Sequence, residues 1–227
     1  MNLKLLKGGH LSDRKCRQIL ELFCDDLTAT HIADISGVSR VTVNNYLKLI
    51  RSAIASFCEL NPHLGKQTNI LKNNAEGDKA QRDHAGYYGF SLYKGKVTAS
   101  WLKEVCGVSL KQLLEKDKIT ADGGRPPDFN QYDAVADFND WRLYWLTGSK
   151  EDAAIADVLP EITSFWKHTK SRLQKFRGMN KNTLYLHIKE CEFRYNFRND
   201  DLLAVLNGII SGRHYLKNNA NENYVPI

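Results

Sequence analysis

Residues 28–51 read TATHIADISGVSRVTVNNYLKLIR, and this stretch decides how the N-terminal quarter of the chain folds. Thr28 is a helix cap, because its side-chain oxygen can accept from a backbone N–H that the first helical turn leaves without a partner. Ile32, Ala33 and Ile35 follow in a short helical run. Ser36-Gly37-Val38 makes a turn, and Gly37 tolerates the left-handed backbone angles that such a turn requires. Ser39 caps the next helix, expected from about Arg40 to Ile50. Two short helices that cross steeply need a small residue where they touch, and Ala33 meets that need. Val38, Val43 and Tyr46 or Leu47 then point inward. Arg40, Thr42, Asn44, Asn45 and Lys48 lie on or near the outer face, and Arg51 adds a further cation.

This arrangement reads as a helix-turn-helix, and the partner it predicts is double-stranded DNA. Arg and Asn match base edges in the major groove, while Thr and Lys more often meet phosphate. A small three-helix bundle with a polar surface is the plainer alternative. Upstream, Ser12 caps a first helix whose apolar stripe is Ile19, Leu20 and Phe23, and Asp25-Asp26 ends it.

The chain has 227 residues and a formal net charge of +6. That length allows a small head and a larger body, and the charge favours a polyanionic partner without establishing one. The cysteines are Cys16, Cys24, Cys58, Cys106 and Cys191. Their number is odd and no CxxC occurs, so neither a disulfide framework nor a thiolate zinc site is indicated. A reducing, cytoplasmic setting is expected. The first fifteen residues are too polar for a signal peptide, and no apolar run approaches membrane-spanning length, so no membrane partner is expected.

Beyond the head, residues 59–83 are polar, with little periodicity, and read as a linker. Tyr87, Tyr88, Phe90, Leu92 and Tyr93 are strand formers; Lys94-Gly95-Lys96 is a turn, and Val97 to Trp101 returns as the second arm of a hairpin. Lys94 and Lys96 are either DNA-facing or ordinary solvated turn lysines. Leu102 to Lys116 suits a helix, Ile119-Thr120-Ala121 a short strand, and Arg142 to Leu146 an aromatic-rich strand. Strand, helix and strand in this order predict a mixed α/β body. Ile162 to Phe176 reads as a basic amphipathic helix. Its cations Lys167, Lys170, Arg172 and Lys175 would either lie along phosphates or form a solvated face. Asn182 to Phe197 is a second long helix, with Leu184, Ile188, Cys191 and Tyr195 at helical spacing. Cys191 is then a buried small apolar residue and His187 a surface or interface histidine.

Three blocks of this sequence resemble the small bacterial insertion-sequence transposases of the DDE class. The first is HLSDRKCRQILELFCDDLTATHIADISGVSRVTVNNYLKLIR, residues 10–51. The second runs from KGKVTASWLKEVC, residues 94–106, through ITADGG, residues 119–124. The third is ITSFWKHTKSRLQKFRGMNKNTLYLHIKECEFRYNFRN, residues 162–199, and it is the most specific. The resemblance implies an RNase-H-like mixed-sheet core behind an all-α head. The divisions are 1–60 for the head, 61–84 for a linker or degenerate first strand, 85–206 for the core, and 207–227 for a tail.

It also implies three carboxylates holding Mg²⁺ or Mn²⁺, which activate the attacking oxygen and stabilise charge on phosphorus. Carried over residue by residue, the second Asp falls on Asp122. For the first, Asp78 is the better match and Asp83 the next. The closing Glu belongs immediately before Ser164-Phe165-Trp166, where this chain has Thr163. Glu161 is the nearest carboxylate, but two residues along a helix turn it about 200° away. It would serve only if the helix began late, and otherwise it is a first-turn glutamate favoured by the helix dipole. The catalytic and metal-ligating candidates are therefore Asp78, Asp122 and Glu161. The expected function is that of a transposase binding the terminal DNA of its element, with strand cleavage and transfer retained or ancestral. The alternatives are a catalytically inactive DNA-binding derivative and a helix-turn-helix transcription regulator. A second copy of the chain is a further candidate partner.

Overall fold

The computed structural model describes residues 11–60, 86–102, 129, 131–146, 153–174 and 181–211, with side chains throughout except at 153–159 and 181–182. The chain divides into two compact units. Residues 1–57 and 197–227 make up one, and residues 58–196 the other.

In the first unit, α1 spans Asp13–Cys24 and α2 Ala29–Ser36, and α3, Arg40–Leu60, belongs to it as far as Phe57. Each begins at the cap read from the sequence. Ser12 Oγ accepts from the Lys15 N–H at 3.4 Å, Thr28 Oγ1 from His31 N–H at 3.4 Å, and Ser39 Oγ from Thr42 N–H at 3.2 Å. Gly37 closes α2 with φ +66° while its N–H donates to Ala33 O. This is the left-handed cap that glycine adopts without a Cβ clash. The apolar faces meet in a core of Ile19, Leu20, Phe23, Ile32, Val43, Leu47, Ile50 and Ile54, all buried. That stripe is why α3 does not stop at Ile50: Ile54, Ala55 and Phe57 continue its buried face. Tyr46 joins the core with its hydroxyl 3.2 Å from Cys16 Sγ, and the Lys15 ammonium donates to Ser36 O. The helix Leu202–Ile210 belongs to this unit and lies against α1. Asp201 caps it by accepting from Leu203 and Ala204 N–H at 3.0 and 3.1 Å.

The second unit holds a four-stranded sheet. β1 is Tyr87–Tyr93, β2 Lys96–Trp101, β3 Ala134–Asp137 and β4 Arg142–Trp145, in the order β2-β1-β3-β4. The three pairings among these strands are antiparallel. The β1–β2 hairpin turns at Lys94 and Gly95, with φ +49° and +74°. Both central residues are left-handed, the geometry that matches strand twist in a two-residue hairpin. β3 was not expected from the sequence. The helix read at Leu102–Lys116 and the strand at 119–121 lie outside the described residues, Leu102 itself excepted.

Among its described residues the unit also holds two helices, α4, Ala153–Leu173, and α5, Lys181–Asn196, with Leu202–Ile210 of the first unit becoming α6. α4 begins well before Ile162 and carries Pro160 inside it. One sheet face packs Tyr88, Phe90, Val97, Ala99, Ala134 and Ala136 against Ile162, Phe165 and Trp166 of α4 and Ile188, Cys191 and Tyr195 of α5. The other face covers Val135 with Phe129, Tyr132 and Leu146. Gly89 is required there, since a Cβ on it would overlap the Tyr132 ring.

α5 also closes an edge of the sheet. Among the described strands β2 is the outermost on that side, and its outward groups meet side chains of α5. Val97 N–H donates to Asn196 Oδ1 at 2.9 Å, and Asn196 Nδ2 donates back to Val97 O at 2.7 Å. Ala99 N–H donates to Glu192 Oε2 at 3.1 Å. Edge strands otherwise present unpaired backbone that invites further strand addition.

Candidate nucleic-acid interface

The outer surface of α3 begins at its capped first turn. Arg40, Val41, Asn44, Asn45 and Lys48 are exposed. Thr42 is half-buried, and its hydroxyl lies 2.8 Å from that of Ser39, within the cap. Val41 takes the outward place instead and is 72% exposed. Reading the sequence missed it, although its spacing to Asn44, Asn45 and Lys48 puts it on their face. Arg51 is half-buried, with its guanidinium carbon 5.9 Å from the centre of the Phe23 ring. A different part of this unit has the opposite sign. Glu21, Cys24, Asp25, Asp200, Asp201, Leu202 and Leu203 line a shallow cavity with an acidic rim, which disfavours phosphate.

In the second unit, the cations read as one basic helix face take different positions. Lys167 is exposed. Lys170 is half-buried, 5.9 Å from the centre of the Trp166 ring, and donates to Trp141 O at 3.5 Å. Arg172 turns inward. Its side chain is 5% exposed and its NH2 lies 2.5 Å from Glu190 Oε1. It is thus removed from any phosphate-facing surface, because the inward position also holds the carboxylate that neutralises it. Lys175 lies outside the described residues.

α5 is buried on all sides along 187–195, charges included. Glu190 Oε1 also accepts from Arg194 Nε at 3.0 Å, and Lys189 Nζ lies 2.8 Å from Glu192 Oε2. Burial pushes the Glu192 carboxyl above its ordinary range, against the pull of Lys189 and the Ala99 N–H. Burial likewise pushes the Cys191 thiol up to about 12, which keeps it protonated and unreactive. His187 is 9% exposed, so it is a core histidine and not a surface one.

Of the three expected metal ligands, Asp78 and Asp122 lie outside the described residues, as does Asp83. Glu161 is described, and it is not in a first turn, since α4 starts at Ala153. The helix therefore does not begin late enough to swing it toward the Thr163 side. Its Oε2 accepts from the Tyr195 hydroxyl at 2.7 Å. Thr163, the residue in the expected Glu position, is half-buried. Among the described residues no group of three or more His, Cys, Asp or Glu side chains is arranged to hold a metal ion. Two other carboxylates that the sequence did not single out have local structural duties. Asp133 Oδ2 accepts from Leu92 N–H at 2.8 Å, and Asp137 Oδ1 accepts from Asn139 N–H at 2.8 Å in the β3–β4 turn.

A helical N-terminal unit, then an antiparallel sheet flanked by helices, is the architecture against which relatives can be weighed. The chain is 32% identical over 123 residues to an uncharacterized transposase-like protein of Haemophilus influenzae. The alignment spans 52% of this chain and 97% of that protein. The chain belongs to this transposase-like family. No family profile matches it, and no solved structure does. Among the described residues, no helix is long and apolar enough to cross a membrane.

Proposed function

We propose that this chain is a transposase-derived DNA-binding protein, in which the head holds duplex DNA and the family's strand-cutting chemistry is lost or badly weakened. The observation that carries the reading is at residues 161–163. A neutral hydroxyl, Thr163, stands where a carboxylate is expected, and the nearest carboxylate, Glu161, is engaged by Tyr195. A hard divalent cation favours charged oxygen ligands, so Thr163 does not fit the third ligand position. Mg²⁺ or Mn²⁺ would serve only an enzyme that drew its third carboxylate from elsewhere.

The head supplies the DNA contact. α3 presents amide and cationic side chains after a short glycine turn, which suits a recognition helix in the major groove. In this reading the body is RNase-H-like. A transcription regulator would call for an effector pocket or a dimer seam, and no residue pattern favours either.

The test uses the full-length protein. Duplex binding should weaken steeply between about 50 and 200 mM salt, as phosphate contacts dictate. A supercoiled plasmid carrying the bound sequence should stay intact with Mg²⁺ or Mn²⁺. Metal-dependent nicking that disappears in Asp122→Ala would overturn the loss of chemistry, and the absence of duplex binding would overturn the head's role.

A further inference from the structure

Resting on that DNA-binding role, we infer that the head selects A·T base pairs through the α3 stripe Val41, Asn44 and Asn45. Positions 41, 44, 45 and 48 stand three, four and seven residues apart, so they share one face of the helix. All are exposed, and Val41 is 72% exposed. The stripe starts in the first turn after the Ser39 cap, the end of a recognition helix that reaches base edges.

The chemistry of the stripe is specific. An Asn amide carries a donor and an acceptor side by side, which matches the N7 and N6 edge of adenine. A valine offers only methyl groups, which match the C5 methyl of thymine. Both marks belong to the same base pair in the major groove. No carboxylate interrupts the stripe, so the group best suited to the cytosine amine is missing from it. Arg40 and Lys48 stand at its two ends, where long cations fix register on phosphates. A single exposed apolar residue is ordinary on a protein surface. Val41 is distinguished by its neighbours: two amides one turn away, on the same face, in a helix whose opposite face forms the core. A β-branched residue there lowers helix propensity and buries nothing in return.

The experiment selects duplexes from a randomised library with the full-length protein, then replaces each thymine of the selected site by uracil. That exchange removes one methyl group and nothing else. At one or more A·T pairs, uracil should weaken wild-type binding roughly fourfold, the worth of one buried methyl group. Val41→Ala should keep its fold by circular dichroism and bind thymine and uracil duplexes equally. Asn44→Ala with Asn45→Ala should lose the preference for adenine on the same pairs. A selected site in which uracil is harmless, or in which uracil still weakens Val41→Ala, overturns the inference while leaving DNA binding intact. Failure to bind any duplex overturns the DNA-binding role itself.

Discussion

Arg172 on α4 and Glu190 on α5 form an ion pair closed off from water, with NH2 and Oε1 2.5 Å apart and side-chain exposures of 5% and 0%. Arg194 reaches the same oxygen at 3.0 Å, so one carboxylate serves two guanidinium groups. Burial pulls the Arg172 guanidinium below its ordinary range, while Glu190 holds it up.

Removing that carboxylate leaves two cations buried without it. Glu190→Gln should destabilise the second unit by about 3–5 kcal/mol, the cost of breaking a buried pair on one side. Urea unfolding followed by Trp fluorescence measures it. A Glu190→Gln, Arg172→Met double variant should recover much of the loss, and a double variant no more stable than the single one would contradict the pairing.

A Cβ placed on Gly89 would come within 2.3 Å of the Tyr132 ring. Gly89→Ala should lower stability by about 1–3 kcal/mol through overpacking. Adding Tyr132→Ala should remove the clash, so the two effects should be strongly non-additive in thermal melts. Simple additivity would mean that the ring is not what limits this position.

Tyr46 gives the head a stability that depends on alkaline pH. Burial, reinforced by Cys16, raises its hydroxyl from 10.0 to about 12. In the unfolded chain the group ionises first, so the folded state binds more protons between these values. Stability should be fully present below pH 10 and decline as pH rises toward 12. Burial raises Tyr88 in the same direction, so the second unit also loses stability as pH rises. Tyr46→Phe should flatten the slope in urea titrations across this window, and an unchanged slope would contradict the assignment.

The two ends of the α3 stripe make a separate electrostatic prediction. Arg40→Gln and Lys48→Gln should each reduce the logarithmic salt slope of duplex binding by about 1, with little dependence on sequence. Fluorescence anisotropy at several salt concentrations reads this. Unchanged slopes in both variants would remove this face from the interface.

The legible parts of the fold were those with local rules. Ser12, Thr28 and Ser39 mark helix starts because a hydroxyl answers a nearby N–H. The β1–β2 hairpin follows from alternating aromatics around Lys94-Gly95. β3 was not legible: Ala134–Asp137 is buried at every residue, so it lacks the alternation that betrays a strand. Pro160 hid the start of α4, because proline more often opens a helix than sits inside one. In α5, Lys189, Glu190, Glu192 and Arg194 suggest a solvated face. Their burial depends on partners distant in sequence, Arg172 and the Ala99 N–H, which no helical period reveals. The same blindness affected the candidate interface. Arg40, Asn44, Asn45 and Lys48 lie outward as read, but Thr42 joins the cap, Val41 takes its place, and Arg172 points into the core.

The closure of β2 by Asn196 and Glu192 has a consequence for how the protein is made. The ribosome releases the β1–β2 hairpin long before α5, so the edge at Val97 and Ala99 emerges without its cover. During that interval of synthesis the nascent chain carries an adhesive strand that only its own later translation can silence. Messages truncated ahead of Lys181 should therefore yield product that collects in inclusion bodies, while full-length translation stays dispersed.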